Sequence, residues 1–118
     1  MTTDFVKRAS EVVQGMAALH VAAPDAIKGF NALGAAATKT QSLDTRTKEL
    51  MALAIGIAMR CDGCIAFHTK MARRAEATRE QVVETIALAI YMGGGPAAVF
   101  GGEALRAFDQ FEQAASGG

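Results

Sequence analysis

Apolar positions along this chain return every three or four residues, the spacing of a helix with one buried stripe, and no stretch alternates as a half-buried strand would. Prolines are few, alanine is abundant and β-branched runs are absent, so local preference favours helix throughout. Start and stop signals divide the sequence into about six helices. The first runs from near Asp4 to around Leu19, with Phe5, Val12, Val13, Met16 and Leu19 as its apolar side. Pro24 suits the first turn of a second helix, where a missing N–H costs nothing. That helix carries Ile27, Phe30 and Leu33 and loosens between Thr38 and Ser42. Asp44 is placed to cap a third helix reaching about Arg60, and a fourth spans roughly Cys61 to Ala75. Thr78-x-x-Gln81 has the form of a capping box and opens a fifth helix that stops at Gly93-Gly94-Gly95. Pro96 starts the sixth, whose apolar side is Val99, Leu105, Phe108 and Phe111, followed by a frayed Ser116-Gly117-Gly118 tail.

The third and fifth helices are more apolar than a small bundle can hide. Only Gly56 interrupts the aliphatic run Leu50–Met59, and Ile86–Ile90 is unbroken. A helix that is apolar all round must be covered all round, and a domain of 118 residues encloses little volume. The expectation is a homo-oligomer; the alternative is one central helix wrapped by the other five. Tyr91 and the methionines read as packing residues.

Composition narrows the function classes. The length suits a single domain covering residues 1–118, with no repeat, linker or internal boundary. Twelve basic residues balance twelve acidic ones and there is no Trp, so a nucleic-acid surface is disfavoured. Met1 to Ser10 is polar and lacks the apolar core of a secretory signal. The longest apolar run is roughly half of the ~20 residues that a membrane span needs. A cytoplasmic protein is expected, with no membrane partner. There two nearby cysteines point to catalysis, redox sensing or metal binding rather than to a structural staple.

The chemistry concentrates in Glu49 … Cys61-Asp62-Gly63-Cys64-x-x-x-His68. In a helix starting near Cys61, residues 61, 64, 65, 68 and 72 share a face, and Cys64 and His68 are one turn apart. A helix N-terminus favours a thiolate, and an imidazole beside it can take the thiol proton. The second thiol can resolve a mixed disulfide or a sulfenic acid. Glu49 joins through register. If the third and fourth helices form an antiparallel hairpin turning near Arg60, Glu49 and His68 fall within about one helical turn of each other. Glu49 also shares a stripe with Ala52, Leu53 and Gly56, where an unpartnered carboxylate would be costly. Pairing with His68, directly or through a water, would relieve that cost and orient the ring for proton transfer.

Other readings stay open at this point. Cys61, Cys64 and His68 could ligate zinc, with Glu49 or His20 as a fourth ligand, although no second Cys-x-x-Cys or His-x-x-x-His supplies a closed site. The pair could be a redox sensor without turnover. Either sulfur could attack first: His68 favours Cys64, whereas exposure and the helix terminus favour Cys61. His20 suits the end of the first helix as a dipole partner. Gly93-Gly94-Gly95-Pro96 reads as a helix stop and start rather than a phosphate cradle, and Gly101-Gly102 as a place for close helix approach.

These residues resemble the alkylhydroperoxidase D-like members of the carboxymuconolactone decarboxylase superfamily. The match rests on Glu49, Cys61-x-x-Cys64 and His68 at their spacing. The segments Lys48–Ile55 and Tyr91–Ala97 extend it over roughly residues 25 to 113. The resemblance implies an all-α bundle, trimers or hexamers, and a helical hairpin bearing the site. It implies a Glu49/His68 proton relay serving the Cys61/Cys64 redox pair in reducing hydroperoxides or small disulfides. No bound cofactor is implied; an external dithiol, such as a lipoyl group on a partner protein, would re-reduce the pair. Asp62-Gly63 stands between the cysteines where the best-studied peroxidases have a His, and the chain is one copy rather than two related halves. The decarboxylase branch does not rely on a Cys-x-x-Cys, so the pair argues against a lactone decarboxylase.

Overall fold

The helices begin where the sequence supplies acceptors. In a computed structural model describing residues 2–117, the order is α1 (Phe5–Ala22), α2 (Pro24–Thr38), α3 (Thr45–Ala58), α4 (Asp62–Arg74), α5 (Arg79–Gly93) and α6 (Gly95–Gly117). No strand occurs among the described residues, so the expected all-α class and helix order are the ones observed. Asp4 accepts from Lys7 N–H at 3.1 Å and Asp44 from Thr47 N–H at 2.8 Å. The Thr78 box closes in both directions, with Gln81 N–H donating to Thr78 Oγ1 at 3.1 Å and Thr78 N–H to Gln81 Oε1 at 2.9 Å. Pro24 occupies the first turn of α2, which has no side-chain cap.

Two boundaries differ from expectation. α1 continues past Leu19 to Ala22, and Ala23 both ends it and begins α2. α6 runs on through Ser116, whose hydroxyl donates to the Glu112 carbonyl at 3.1 Å, and through Gly117; Gly118 lies outside the described residues.

α3 and α4 turn on each other tightly. After α3, Arg60 takes a left-handed φ of 58°, its N–H bonds Ile57 O at 3.1 Å, and Cys61 N–H bonds Gly56 O at 3.0 Å. This is a Schellman stop, usually built on glycine. Glu76 repeats it after α4, with φ 67° and bonds from Glu76 to Arg73 and from Ala77 to Ala72. Arg46 Nε donates to Ala75 O at 2.9 Å, tying the start of α3 to the end of α4 and fixing the antiparallel hairpin.

The core lies between α3, α4, α5 and α6, with α1 laid across α4 and α6. Leu53, Ile57, Ile65, Val82, Phe5 and Phe108 are fully enclosed. Gly101 lets α6 approach α5: a Cβ there would lie 2.7 Å from Ile86 Cγ2, whereas Gly102 faces open space. The bundle does not hide the two most apolar helices. Met51, Ile55 and Met59 are exposed along α3, and Val83, Leu88, Tyr91 and Met92 along α5. Of the residues read as packing, Tyr91 is 83% exposed and Met51, Met59 and Met92 face outward, so these four do not pack within the chain; Met1 lies outside the described residues. The four extend the outer faces of helices whose other stripe already fills the small core.

Candidate active site

The hairpin brings the four singled-out residues to one place. Glu49 lies on the second turn of α3 in the inward stripe with Leu53, Gly56 and Ile57. His68 faces it from α4. His68 Nδ1 and Glu49 Oε1 are 2.7 Å apart, and Glu49 is only 3% exposed. The direct pairing that register allows is present. A carboxylate so enclosed needs a partner, and the imidazole is the one it has. A carboxylate oxygen can only accept, so in a carboxylate–imidazole pair Nδ1 is the donor, and this contact leaves Nε2 unoccupied. Phe67 packs edge-on against the imidazole, with ring centroids 5.2 Å apart at 84°.

Cys61 caps α4. Its Sγ accepts from Cys64 N–H at 3.1 Å, the place normally taken by a Ser, Thr or Asp oxygen. The two sulfurs are joined as a Cys61–Cys64 disulfide, with Cα atoms 5.2 Å apart. In this oxidised form His68 makes no hydrogen bond to either sulfur. Gly56 permits the close approach, since a Cβ there would lie 3.0 Å from Cys64 Cβ. On the outer side Arg8 of α1 reaches Asp62 at 3.5 Å and lies against Gly63.

Cys64 and His68 open into a cleft of ≈ 550 Å³ between α1, α2 and α4, with Glu49 at its base. α1 contributes Val12, Val13 and Met16, and α2 contributes Phe30, Asn31, Gly34, Ala35 and Thr38. Cys61 is not on its wall. Reasoning from sequence missed this cleft, because the apolar stripes of α1 and α2 look like core. The available signal was excess: α2 carries Ile27, Phe30 and Leu33 yet buries none of its residues. Among the described residues no group of three or more His, Cys, Asp and Glu side chains is arranged to hold a metal ion. His20 sits in the last turn of α1, as expected of a dipole partner, and is not part of the cleft. No helix of the described residues is long and apolar enough to cross a membrane.

A six-helix bundle with a disulfide-bonded Cys-x-x-Cys at the head of one hairpin helix, and a Glu–His pair across the same hairpin, defines the class of this all-α protein. Residues 24–114 match the carboxymuconolactone decarboxylase family, and the chain belongs to that family. An uncharacterized protein of Cupriavidus necator is 44% identical over 109 residues, covering 92% of this chain and 96% of that one. An uncharacterized protein of Paracoccus denitrificans, described as protein 4 in the cox locus, is 39% identical over 85 residues, covering 72% and 77%. Among solved structures, the apo form of a carboxymuconolactone decarboxylase family protein from Legionella pneumophila superposes with a TM-score of 0.87 at 41% identity. That match covers 91% of this chain and 96% of the other. A Thermotoga maritima protein superposes at 0.80 and 25% identity, covering 92% and 98%.

Proposed function

We propose that the protein is a thiol–disulfide oxidoreductase that reduces organic hydroperoxides, with Cys61 and Cys64 as the redox pair and Glu49 and His68 as the proton relay. The carrying observation is the 2.7 Å Glu49–His68 contact beside a Cys64 that opens into the cleft. In the reduced protein His68 Nε2 accepts the Cys64 thiol proton, with Glu49 stabilising the imidazolium. The thiolate attacks one peroxide oxygen, the O–O bond breaks, and the departing alkoxide takes the proton back from His68 as an alcohol. Cys64 is left as a sulfenic acid. Cys61 then attacks that sulfur, water leaves, and the Cys61–Cys64 disulfide forms. An external dithiol, of which a lipoyl-bearing protein is one, exchanges with the disulfide and restores both thiols while becoming a disulfide itself. A cytoplasmic setting supplies such donors.

Cys64 is assigned the attack because it, and not Cys61, lines the cleft beside His68. Single-cysteine variants test this. Cys61→Ser should accumulate a sulfenic acid on Cys64 when peroxide is added, detected by a sulfenate-trapping reagent and mass spectrometry. Trapping on Cys61 in Cys64→Ser, with none on Cys64 in Cys61→Ser, would reverse the assignment.

The active form is proposed to be a homo-oligomer, a trimer or a hexamer. The support is the apolar surface of α3, α5 and the start of α6, where Ile55, Met59, Leu88, Tyr91, Met92 and Val99 stand exposed.

A further inference from the structure

The cleft carries more information than its position beside Cys64. Its volume of ≈ 550 Å³ lies in the range that holds a small organic molecule, roughly 300–1,000 Å³. Its walls are aliphatic and aromatic, with the amide of Asn31 and the hydroxyl of Thr38 as the polar groups of α2. No lysine or arginine lines it, and Arg8, which lies against the wall residue Gly63, is engaged with Asp62 at 3.5 Å and Glu11 at 3.9 Å. With Cys64 held in the disulfide, the titratable side chains on its wall are Glu49 and His68, which are bonded to one another, and Glu49 is itself an acid. A carboxylate or sulfonate entering here would lose its hydration, meet no free cation and approach a buried carboxyl group.

We infer that the cleft is a binding site for an uncharged, apolar-bodied organic molecule, and that the α2 stripe Phe30–Gly34–Ala35 determines which molecules enter by size. Gly34 provides the room. A Cβ built on it meets nothing within 4 Å, so a side chain there projects into free space on the cleft wall. Phe30, 60% exposed, stands one turn away on the same stripe. Carboxylate-bearing lactones, the compounds from which the family takes its name, fit this wall poorly for want of a cation.

The inference rests on the redox reading only for its kinetic arm; ligand binding to the disulfide form needs no turnover. The first test compares two fluorescent probes of nearly the same apolar body, neutral phenylnaphthylamine and the anionic anilinonaphthalenesulfonate, on the oxidised wild-type protein. The neutral probe should bind at least about tenfold more tightly, and Gly34→Leu should weaken it by about tenfold or more. Leucine at this position also removes a glycine from a helix interior, so loss of the fold is not expected. Equal or tighter binding of the sulfonate would overturn the inference, as would indifference of the neutral probe to Gly34→Leu. Binding that follows the assembly state in sedimentation instead of the α2 substitution would mean that a second copy fills the cleft, and would overturn it too.

The kinetic arm uses the ratio of kcat/KM for cumene hydroperoxide to that for hydrogen peroxide. Gly34→Leu should lower this ratio by about tenfold. Asn31→Lys, which supplies the missing cation on an exposed position of the wall, should raise the ratio of a carboxylate-bearing aryl hydroperoxide to cumene hydroperoxide. An unchanged pair of ratios would contradict the assignment. Absent peroxidase turnover with intact probe selectivity would remove the peroxidase reading and leave the cleft assignment standing.

Discussion

Glu49 and His68 could be paired from sequence because two independent constraints meet there. Their distances from the turn at Arg60 put them within one helical turn, and the apolar stripe around Glu49 demanded a partner. The Cys61-x-x-Cys64 spacing marked a pair for redox chemistry or metal binding and left both open; the disulfide itself was what the family resemblance implied, and the two sulfurs are joined in the structure. Residues whose role depends on distant elements were not legible: Val12, Val13 and Met16 have the pattern of ordinary core residues, yet they wall the cleft. Electrostatics at single residues gives a pH prediction. Hydrogen bonds from Thr47, side chain first and backbone second, hold the Asp44 carboxyl below its ordinary value. The hydrogen bond from Arg79 does the same for Asp109, and Asp109 in turn raises Arg79. A carboxyl with a lowered folded pKa contributes stability above its unfolded pKa near 3.8, and loses it as pH falls through the lower folded value. Melting temperature should therefore drop between about pH 5 and pH 2. Asp44→Asn, which keeps a capping oxygen, and Asp109→Asn should each flatten that drop; parallel curves for all three proteins would contradict this.

At the scale of elements, helix starts were far easier to read than helix stops. Asp4, Asp44, Pro24 and Thr78 announce four starts by chemistry that works locally. The stops after α3 and α4 use Arg60 and Glu76 in the left-handed region, where glycine is the usual signal, so sequence marked them only by the residues that follow. A non-glycine residue there carries strain of about 1–2 kcal/mol, partly offset by the greater entropy that glycine would lose on folding. Glu76→Gly should stabilise the protein by about 0.5–1 kcal/mol in chemical denaturation, since Glu76 is exposed and makes no side-chain bond. A lower midpoint for Glu76→Gly would mean that the Glu76 side chain contributes more than its backbone strain costs. Arg60 is the less clean test because it adjoins Cys61. Close helix approach, by contrast, was foreseen only in part: Gly101 serves it and Gly102 does not.

For the whole molecule, the excess of apolar residues in α3 and α5 was visible in sequence as unbroken runs, and the bundle leaves that excess outside. Ile55 at 57%, Leu88 at 61% and Met59 at 73% exposure are more than scattered surface residues, because they lie along the outer faces of adjacent helices. The proposed oligomer makes a definite expectation. Wild-type protein should sediment as a trimer or hexamer, and Ile55→Glu with Leu88→Glu should shift it toward monomer while retaining helical circular dichroism. A wild-type monomer at all concentrations would contradict the proposal. The arrangement of the proposed oligomer was beyond sequence, since exposed stripes mark a surface but not a symmetry.

The central claim is that Glu49 and His68 activate the cysteine pair, and peroxide-driven disulfide formation tests it most directly. Pre-reduced wild type, His68→Ala and Glu49→Gln would be mixed with an organic hydroperoxide, and Cys61–Cys64 formation followed by rapid quench, thiol counting and mass spectrometry. General acid–base assistance contributes about 10²–10⁴-fold, so oxidation should slow by about that factor in His68→Ala and substantially in Glu49→Gln. Oxidation at the wild-type rate in both variants would contradict the relay and leave the disulfide as a pair that this constellation does not activate.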